Sequence, residues 1–411
     1  VTLSVAVETR RVVATGIGFP EIPREASSPL GWPSSALHDT VDHRQGEGDV
    51  SRETQPSPAT ARVVEPPQDA RVIGNVSRET PPAPIEAPPK ATNDVSRETS
   101  PDGRAELLAA LPSGDDDSPL AQAVAEDARK RITFSGRTFP RPTTTRVLTV
   151  ANQKGGVGKT TTTVNVAAAL AQAGARVLVI DLDPQGNAST ALGIDHHAEV
   201  PSIYDVLVDG TPLTDVVQPC PDIDGLFCAP ATIDLAGAEI ELVSLVARET
   251  RLAKAVTAYL EGQVEGERID YVFIDCPPSL GLLTINAFVA AREVFIPIQC
   301  EYYALEGLSQ LLKNIELIKN HLNPGLHVSS ILLTMFDGRT RLASQVADEV
   351  RTHFPDQTFR AAVPRSVRIS EAPSHSQTIM TYDPNSSGAL SYLEAANEMA
   401  DRGARGEKEQ S

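Results

Sequence analysis

Ala151-Asn-Gln-Lys-Gly-Gly-Val-Gly-Lys-Thr-Thr161 is the stretch on which the fold turns. It follows an apolar, β-branched run (Val147, Leu148, Val150) and opens into an Ala-rich run of helical composition from Val164 to Ala173. Strand, glycine-rich turn, Lys-Thr and helix is the order a phosphate-binding loop requires. Gly155, Gly156 and Gly158, with Val157 among them, let backbone N–H groups crowd round an anion, and the helix N-terminus adds positive potential. Lys159 supplies a point charge for the β- and γ-phosphates of a nucleotide, and the hydroxyl of Thr160, followed by Thr161, suits Mg2+. A second lysine, Lys154, stands immediately before the glycines and narrows the loop to a subclass.

Outward from the loop, residues 146–403 alternate short β-rich runs with helical ones. Strands are expected at Val147–Ala151, Val177–Asp181, Tyr271–Asp275, Val294–Ile298 and Val328–Met335, and helices over 159–173, 283–291, 305–322, 342–353 and 387–401. In 305–322, Leu308, Leu311, Leu312, Ile315, Ile318 and Leu322 recur at helical spacing and form a core face. Near-continuous apolar strands with intervening helices predict an α/β fold, a mostly parallel twisted sheet with helices on both faces. Ligands of such sheets sit at the carboxyl ends of the strands.

Two acidic motifs fall at those ends. Val179-Ile-Asp-Leu-Asp-Pro-Gln-Gly-Asn187 closes a strand with Asp181 and Asp183, which share a face if the strand runs that far. One of the pair can touch the Mg2+ shell while the other positions attacking water. Tyr271-Val-Phe-Ile-Asp-Cys-Pro-Pro278 is four apolar residues and an aspartate, a Walker B arrangement in which Asp275 holds Mg2+.

Composition sets the remaining bounds. The chain has 411 residues and a formal charge of −18, so any nucleic-acid contact must rest on a local basic face. No apolar run approaches the ~18 residues that span a bilayer, and no basic segment followed by an apolar core opens the chain. Cys220, Cys228, Cys276 and Cys300 match no metal-binding spacing and read as small core residues of a protein from a reducing cytoplasm. Of the 32 prolines, 18 lie in residues 1–142, which places the non-globular part first. Residues 1–100 are expected to be a disordered Pro/Ser/Thr-rich extension, 101–145 a linker with a short helix over 119–132, read as a solvated linker helix rather than a partner-binding segment, and 404–411 a polar tail.

Beyond the loop, several strings resemble the ParA/Soj chromosome-partitioning ATPases, of the deviant Walker A, MinD-like class of P-loop proteins. They are Asp181-Leu-Asp-Pro-Gln-Gly-Asn-Ala188, Pro230-Ala-Thr-Ile-Asp-Leu-Ala-Gly-Ala-Glu-Ile-Glu-Leu242, Ile298-Gln-Cys-Glu-Tyr-Tyr-Ala-Leu-Glu-Gly-Leu-Ser-Gln310, Leu333-Thr-Met-Phe-Asp-Gly-Arg-Thr340 and Val363-Pro-Arg-Ser-Val-Arg-Ile-Ser-Glu-Ala-Pro373. The resemblance implies an ATPase using ATP and Mg2+. In it Lys154 reaches across an ATP-bridged homodimer to the partner's phosphates, Lys159 is the loop lysine, and Thr160 and Asp275 serve the metal. Asp183 positions hydrolytic water, and Pro364 packs by the adenine. It further implies sequence-independent binding of double-stranded DNA through Arg339, Arg365 and Arg368, with Arg341 close by, and stimulation by a centromere-binding partner, ParB. The protein would be cytoplasmic and nucleoid-associated, with no membrane contact. A MinD-like division-site ATPase is the alternative; it would need an apolar face in the C-terminal tail, where this chain has Asp401-Arg-Gly-Ala-Arg-Gly-Glu-Lys-Glu-Gln-Ser411.

The extension carries Val-Ser-Arg-Glu-Thr three times, at Val50–Thr54, Val76–Thr80 and Val95–Thr99, preceded by Asp49, Asn75 and Asp94. Unequal spacing excludes a stacked structural repeat. Back-translated as GTT-TCA-CGT-GAA-ACA, each contains the palindrome GTTTCACGTGAAAC, which resembles the parS sequence that ParB binds. The repeats are therefore expected to be translated parS sites, with the same codons in all three copies. The first methionine is Met335, so translation is expected to start on a Val codon, with part of the extension an untranslated leader.

Overall fold

The computed structural model describes residues 119–134, 136–264 and 266–405. The chain divides between Lys90 and Ala91, and all described residues belong to the second unit. The expected disordered extension, its repeats and the residues after Arg405 lie outside the described residues.

Eight strands form one sheet: β1 (Arg146–Val150), β2 (Val177–Asp181), β3 (Gln218–Pro219), β4 (Leu226–Ala229), β5 (Tyr271–Asp275), β6 (Glu293–Gln299), β7 (His327–Phe336) and β8 (Thr358–Pro364), in the order β3-β4-β2-β5-β1-β6-β7-β8. Every neighbour pairs parallel except β3 with β4. The five expected strands form with ends shifted by no more than one residue. β3, β4 and β8 were not legible. β3 is two residues long, and β8 (Thr-Phe-Arg-Ala-Ala-Val-Pro) is poor in β-formers, so pairing rather than propensity makes them strands.

Alternation sorts the strand residues into two cores. Leu178 and Ile180 of β2, Val272 and Ile274 of β5, and Val294, Ile296 and Ile298 of β6 join one core. Leu148 and Val150 of β1, Val177 and Val179 of β2, Tyr271 and Phe273 of β5, and Phe295 of β6 join the other. Each large aliphatic side chain so buried contributes roughly 1.5–3 kcal/mol. Both faces are thus apolar and both need helices.

Helices α1 (Pro119–Phe134), α2 (Lys159–Gln172), α3 (Asn187–Ala191), α4 (Ile203–Val208), α5 (Leu235–Leu242), α6 (Arg251–Glu261), α7 (Leu282–Ala290), α8 (Ala304–His321), α9 (Arg341–His353), α10 (Val367–Glu371), α11 (Ile379–Tyr382) and α12 (Ser387–Arg405) supply that cover. In α2, Ala167, Ala168 and Ala169 are fully buried, because their small side chains let the helix lie close to the sheet and to α12. Helices α3 to α6, α10 and α11 escaped the periodicity reading. α5, for one, is apolar inside (Leu235, Ala238, Leu242) and outside (Ile240), which erases the period.

The expected solvated linker helix is instead docked. Lys130 of α1 bridges to Glu394 of α12 at 3.0 Å and to Glu126 at 3.1 Å. Arg131 Nη1 donates to Pro384 O at 3.4 Å, and Phe134 meets Phe139 edge-on with centroids 6.2 Å apart. The chain that follows is pinned too: Phe139 N–H donates to Ala173 O at 3.1 Å, and Arg268 Nη2 holds Pro142 O at 2.5 Å and Asp270 at 2.8 Å. Among the described residues no helix is long and apolar enough to cross a membrane.

Candidate nucleotide site

β1 lies between β5 and β6, and the glycine-rich turn leaves its carboxyl end. Gly156 and Gly158 have φ of 72° and 86°, a left-handed backbone that side chains with a Cβ resist, by roughly 1–2 kcal/mol. A Cβ built at Gly155 or Gly156 meets nothing within 4 Å, so these glycines leave open space over the backbone rather than relieve packing. Thr334 of β7 braces the turn from behind, its hydroxyl donating to Val157 O at 2.8 Å. Asn152 braces the front: its Nδ2 donates to Pro297 O at 2.8 Å and its Oδ1 accepts from Lys154 N–H at 3.0 Å.

The two lysines have different surroundings. Lys159 is the first residue of α2 and only 7% exposed; its Nζ lies 3.4 Å from Lys154 O. Burial holds its pKa below the ordinary lysine value, and the charges of Asp275 and Asp183 only partly restore it. Extra negative charge at this point therefore stabilises the ammonium. Lys154 is half-exposed, and its Nζ donates to Glu301 Oε2 at 2.6 Å.

Asp275 ends β5 fully buried. Thr160 Oγ1 donates to its Oδ2 at 2.6 Å, and Thr163 Oγ1 stands 3.0 Å from both its Oδ1 and Lys159 O. Asp181 sits beside it in the β2–β5 register. Burial first, and then the neighbouring Asp181, push the Asp275 carboxyl well above the usual range; burial likewise raises Asp181.

Asp181 and Asp183 do not share a strand face, because β2 ends at Asp181 and the chain turns. The Asp181 Oδ2 accepts from Ser189 N–H at 2.9 Å and Oγ at 2.8 Å, and its Oδ1 from Asp183 N–H at 3.2 Å. That carboxylate is spent on holding the turn into α3. Asp183 is half-buried and accepts from Gln185 N–H at 3.0 Å.

Hydroxyl and carboxylate oxygens beside a buried lysine are the donor set a magnesium nucleotide needs, since Mg2+ takes oxygen ligands. The open backbone at Gly155 and Gly156 gives phosphates a place to approach. The residues present fit the group.

Comparison with known proteins agrees. A family model described as an AAA domain matches residues 145–328. The sporulation initiation inhibitor protein Soj of Bacillus subtilis is 51% identical over 258 residues, 63% of this chain and 99% of Soj. The chromosome partitioning protein ParA of Myxococcus xanthus is 50% identical over 257 residues, 62% of this chain and 88% of that protein. The chain belongs to the ParA/Soj family of chromosome-partitioning ATPases. Among solved structures, cobyrinic acid a,c-diamide synthase of Mycobacterium smegmatis, holding ADP and magnesium, superposes with a TM-score of 0.53 at 37% identity over 63% of this chain and 95% of that one. It is named for a different reaction, whereas the Myxococcus xanthus relative at 50% identity carries the partitioning name.

The expected ParA/Soj DNA residues lie at the carboxyl ends of β7 and β8, whose last residues, Phe336 and Pro364, are register partners. Pro364 is half-buried. Arg339 is exposed and pairs in a two-pronged fashion with Asp337, both contacts 2.9 Å. Arg365 is exposed, and its charge helps hold the Asp337 carboxyl below its usual range after the hydrogen bonds from Arg339. Arg368 stands 3.5 Å from Glu371 and 3.8 Å from Asp383. The arginines gather in one region, interleaved with acids that sequence reading did not weigh. It also gave no role to Asn152, Thr163, Ser189, Glu301 or Thr334. Thr163 was the findable one, one helical turn after Lys159; Ser189 depends on the turn after β2, eight residues from Asp181, and the others on segments far apart in the chain.

Proposed function

We propose that this chain is the ATP-driven motor of a DNA-segregation system. With Mg2+ and ATP it closes into a dimer, each Lys154 serving the other subunit's phosphates. The dimer holds double-stranded DNA without sequence preference, and hydrolysis, stimulated by a ParB-type partner, releases it. Magnesium, when bound, would supply positive charge against the phosphate oxygens. Around it Lys159 holds the β- and γ-phosphates, Thr160 and Asp275 face the metal, and Asp183 orients water. Burial favours the protonated form of Asp275, and a bound divalent ion would offset that preference. Pro364 packs by the adenine, and Arg339, Arg365 and Arg368 take the DNA phosphates. We assign residues 146–403 to the motor domain.

The observation that carries this assignment is the contrast between the lysines: Lys159 is enclosed beside Asp275, while Lys154 reaches the surface on the same loop. A lysine there is available to a neighbouring molecule. The test is sedimentation of the full chain with Mg2+ and ATP or ADP, alone and with parS-free DNA. Dimers and DNA retention with ATP only are expected; a monomer in ATP defeats the proposal.

A further inference from the structure

Lys154 is not idle where it stands. Its Nζ donates to Glu301 Oε2 at 2.6 Å, with the two side chains 37% and 46% exposed. Glu301 is in turn held: Gln299 Nε2 donates to its other carboxylate oxygen, and Glu301 N–H donates to Gln299 O at 2.8 Å. The backbone of the lysine is fixed through Asn152, which reaches β6 at Pro297 O. Every anchor lies on β6 or two residues past its end. A cleft of about 340 Å³, walled in part by Lys154, Gln299, Tyr303, Glu306 and Gln310, adjoins the pair and gives the side chain room to leave.

We propose that Glu301 is a latch for Lys154, a positioning residue that competes with the partner's nucleotide for one ammonium group. This rests on the reading of Lys154 as acting on the other subunit. The ammonium cannot be close to the Glu301 carboxylate and to a phosphate in another molecule at once, so closing the dimer includes breaking this pair. A ligand shifts an equilibrium only by its differential affinity for the two states. A triphosphate, with its extra charge, offsets the lost carboxylate better than a diphosphate. The latch therefore raises the ATP level needed for closure and sharpens the discrimination against ADP.

Glu301→Gln tests this, because the amide still accepts from Gln299 but loses the charge, and the site is half-exposed, so folding should survive. In Mg2+ the full-length variant is expected to reach half-maximal dimer at about two- to five-fold less ATP, the worth of a half-exposed ion pair. ADP affinity and the thermal midpoint should stay as in the parent. Lys154→Ala and the double variant Lys154→Ala/Glu301→Gln should both stay monomeric, with no gain from the second change. If Glu301→Gln closes at the parent's ATP level while Lys154→Ala stays monomeric, the latch is wrong and the lysine's role stands. If Lys154→Ala dimerises like the parent, the cross-subunit role fails and the latch with it. An equal shift in ADP affinity also overturns the latch, since it marks a change within one subunit's own pocket.

Discussion

Asp181 and Asp183 are one residue apart in the chain and have little else in common. Asp181 is enclosed and accepts three hydrogen bonds from the turn it supports, whereas Asp183 is half-buried and takes one from Gln185. We infer that Asp183 alone is free to orient water. Asp183→Ala should therefore keep ATP-driven dimerisation and lower turnover by about 100-fold or more, the usual worth of a positioned base. Phosphate-release assays check it, and normal turnover would remove Asp183 from the chemistry. Lys159→Ala should fail one step earlier, with no ATP-dependent dimer, because the charge that holds the phosphates is gone.

At the scale of elements, β1 is tied to β6 by more than backbone pairing. Arg146 and Glu293, the first residues of the two strands, form a largely buried pair with contacts of 2.8 and 2.5 Å, and Arg146 also donates to Met399 O of α12 at 3.0 Å. Burial alone would raise the Glu293 carboxyl, but the hydrogen bonds and charge of Arg146 win and hold it below its usual 4.5. A carboxyl lowered by folding stabilises the native state above its unfolded value, and that stability is lost as pH falls through the lower folded value. Glu293→Gln should cost about 3 kcal/mol at neutral pH, since it strands a buried guanidinium. It should also flatten the loss of stability as pH falls below the usual carboxyl value of 4.5. Urea titrations across that range measure both, and an unchanged acid slope would show that other groups dominate. This pair was not legible in the sequence, where Arg146 and Glu293 each stand at the edge of an apolar run 147 residues apart.

For the whole molecule, the formal charge of −18 opposes association with DNA, and each candidate arginine keeps acidic company. Under the proposed ATP-driven dimerisation the remaining positive surface is doubled, so DNA retention is expected to depend on ATP and to fall steeply with salt. Arg368→Glu should abolish retention on sequence-random DNA while leaving ATP-driven dimerisation intact; filter binding at two salt concentrations decides it, and unchanged retention would take Arg368 off the DNA face. The docked α1 also alters the outline expected from the sequence. Tied to α12 through Lys130 and Glu394, it lies upstream of the stretch where the family model begins, at residue 145.

The sequence by itself determined the nucleotide loop, the five central strands, the helices that follow β1, β5, β6 and β7, and the family, because these rest on short-range facts: residue order within a turn, and apolar spacing within a strand or helix. Only the tertiary structure decided which aspartate is enclosed, that β4 and β8 are strands, that α1 is docked and that Lys154 is held by Glu301. Those outcomes depend on register and burial between segments far apart in the chain, and no local pattern encodes them. The loop could be read as a phosphate cradle from its own residues; the hold on its outer lysine comes from just past the carboxyl end of β6.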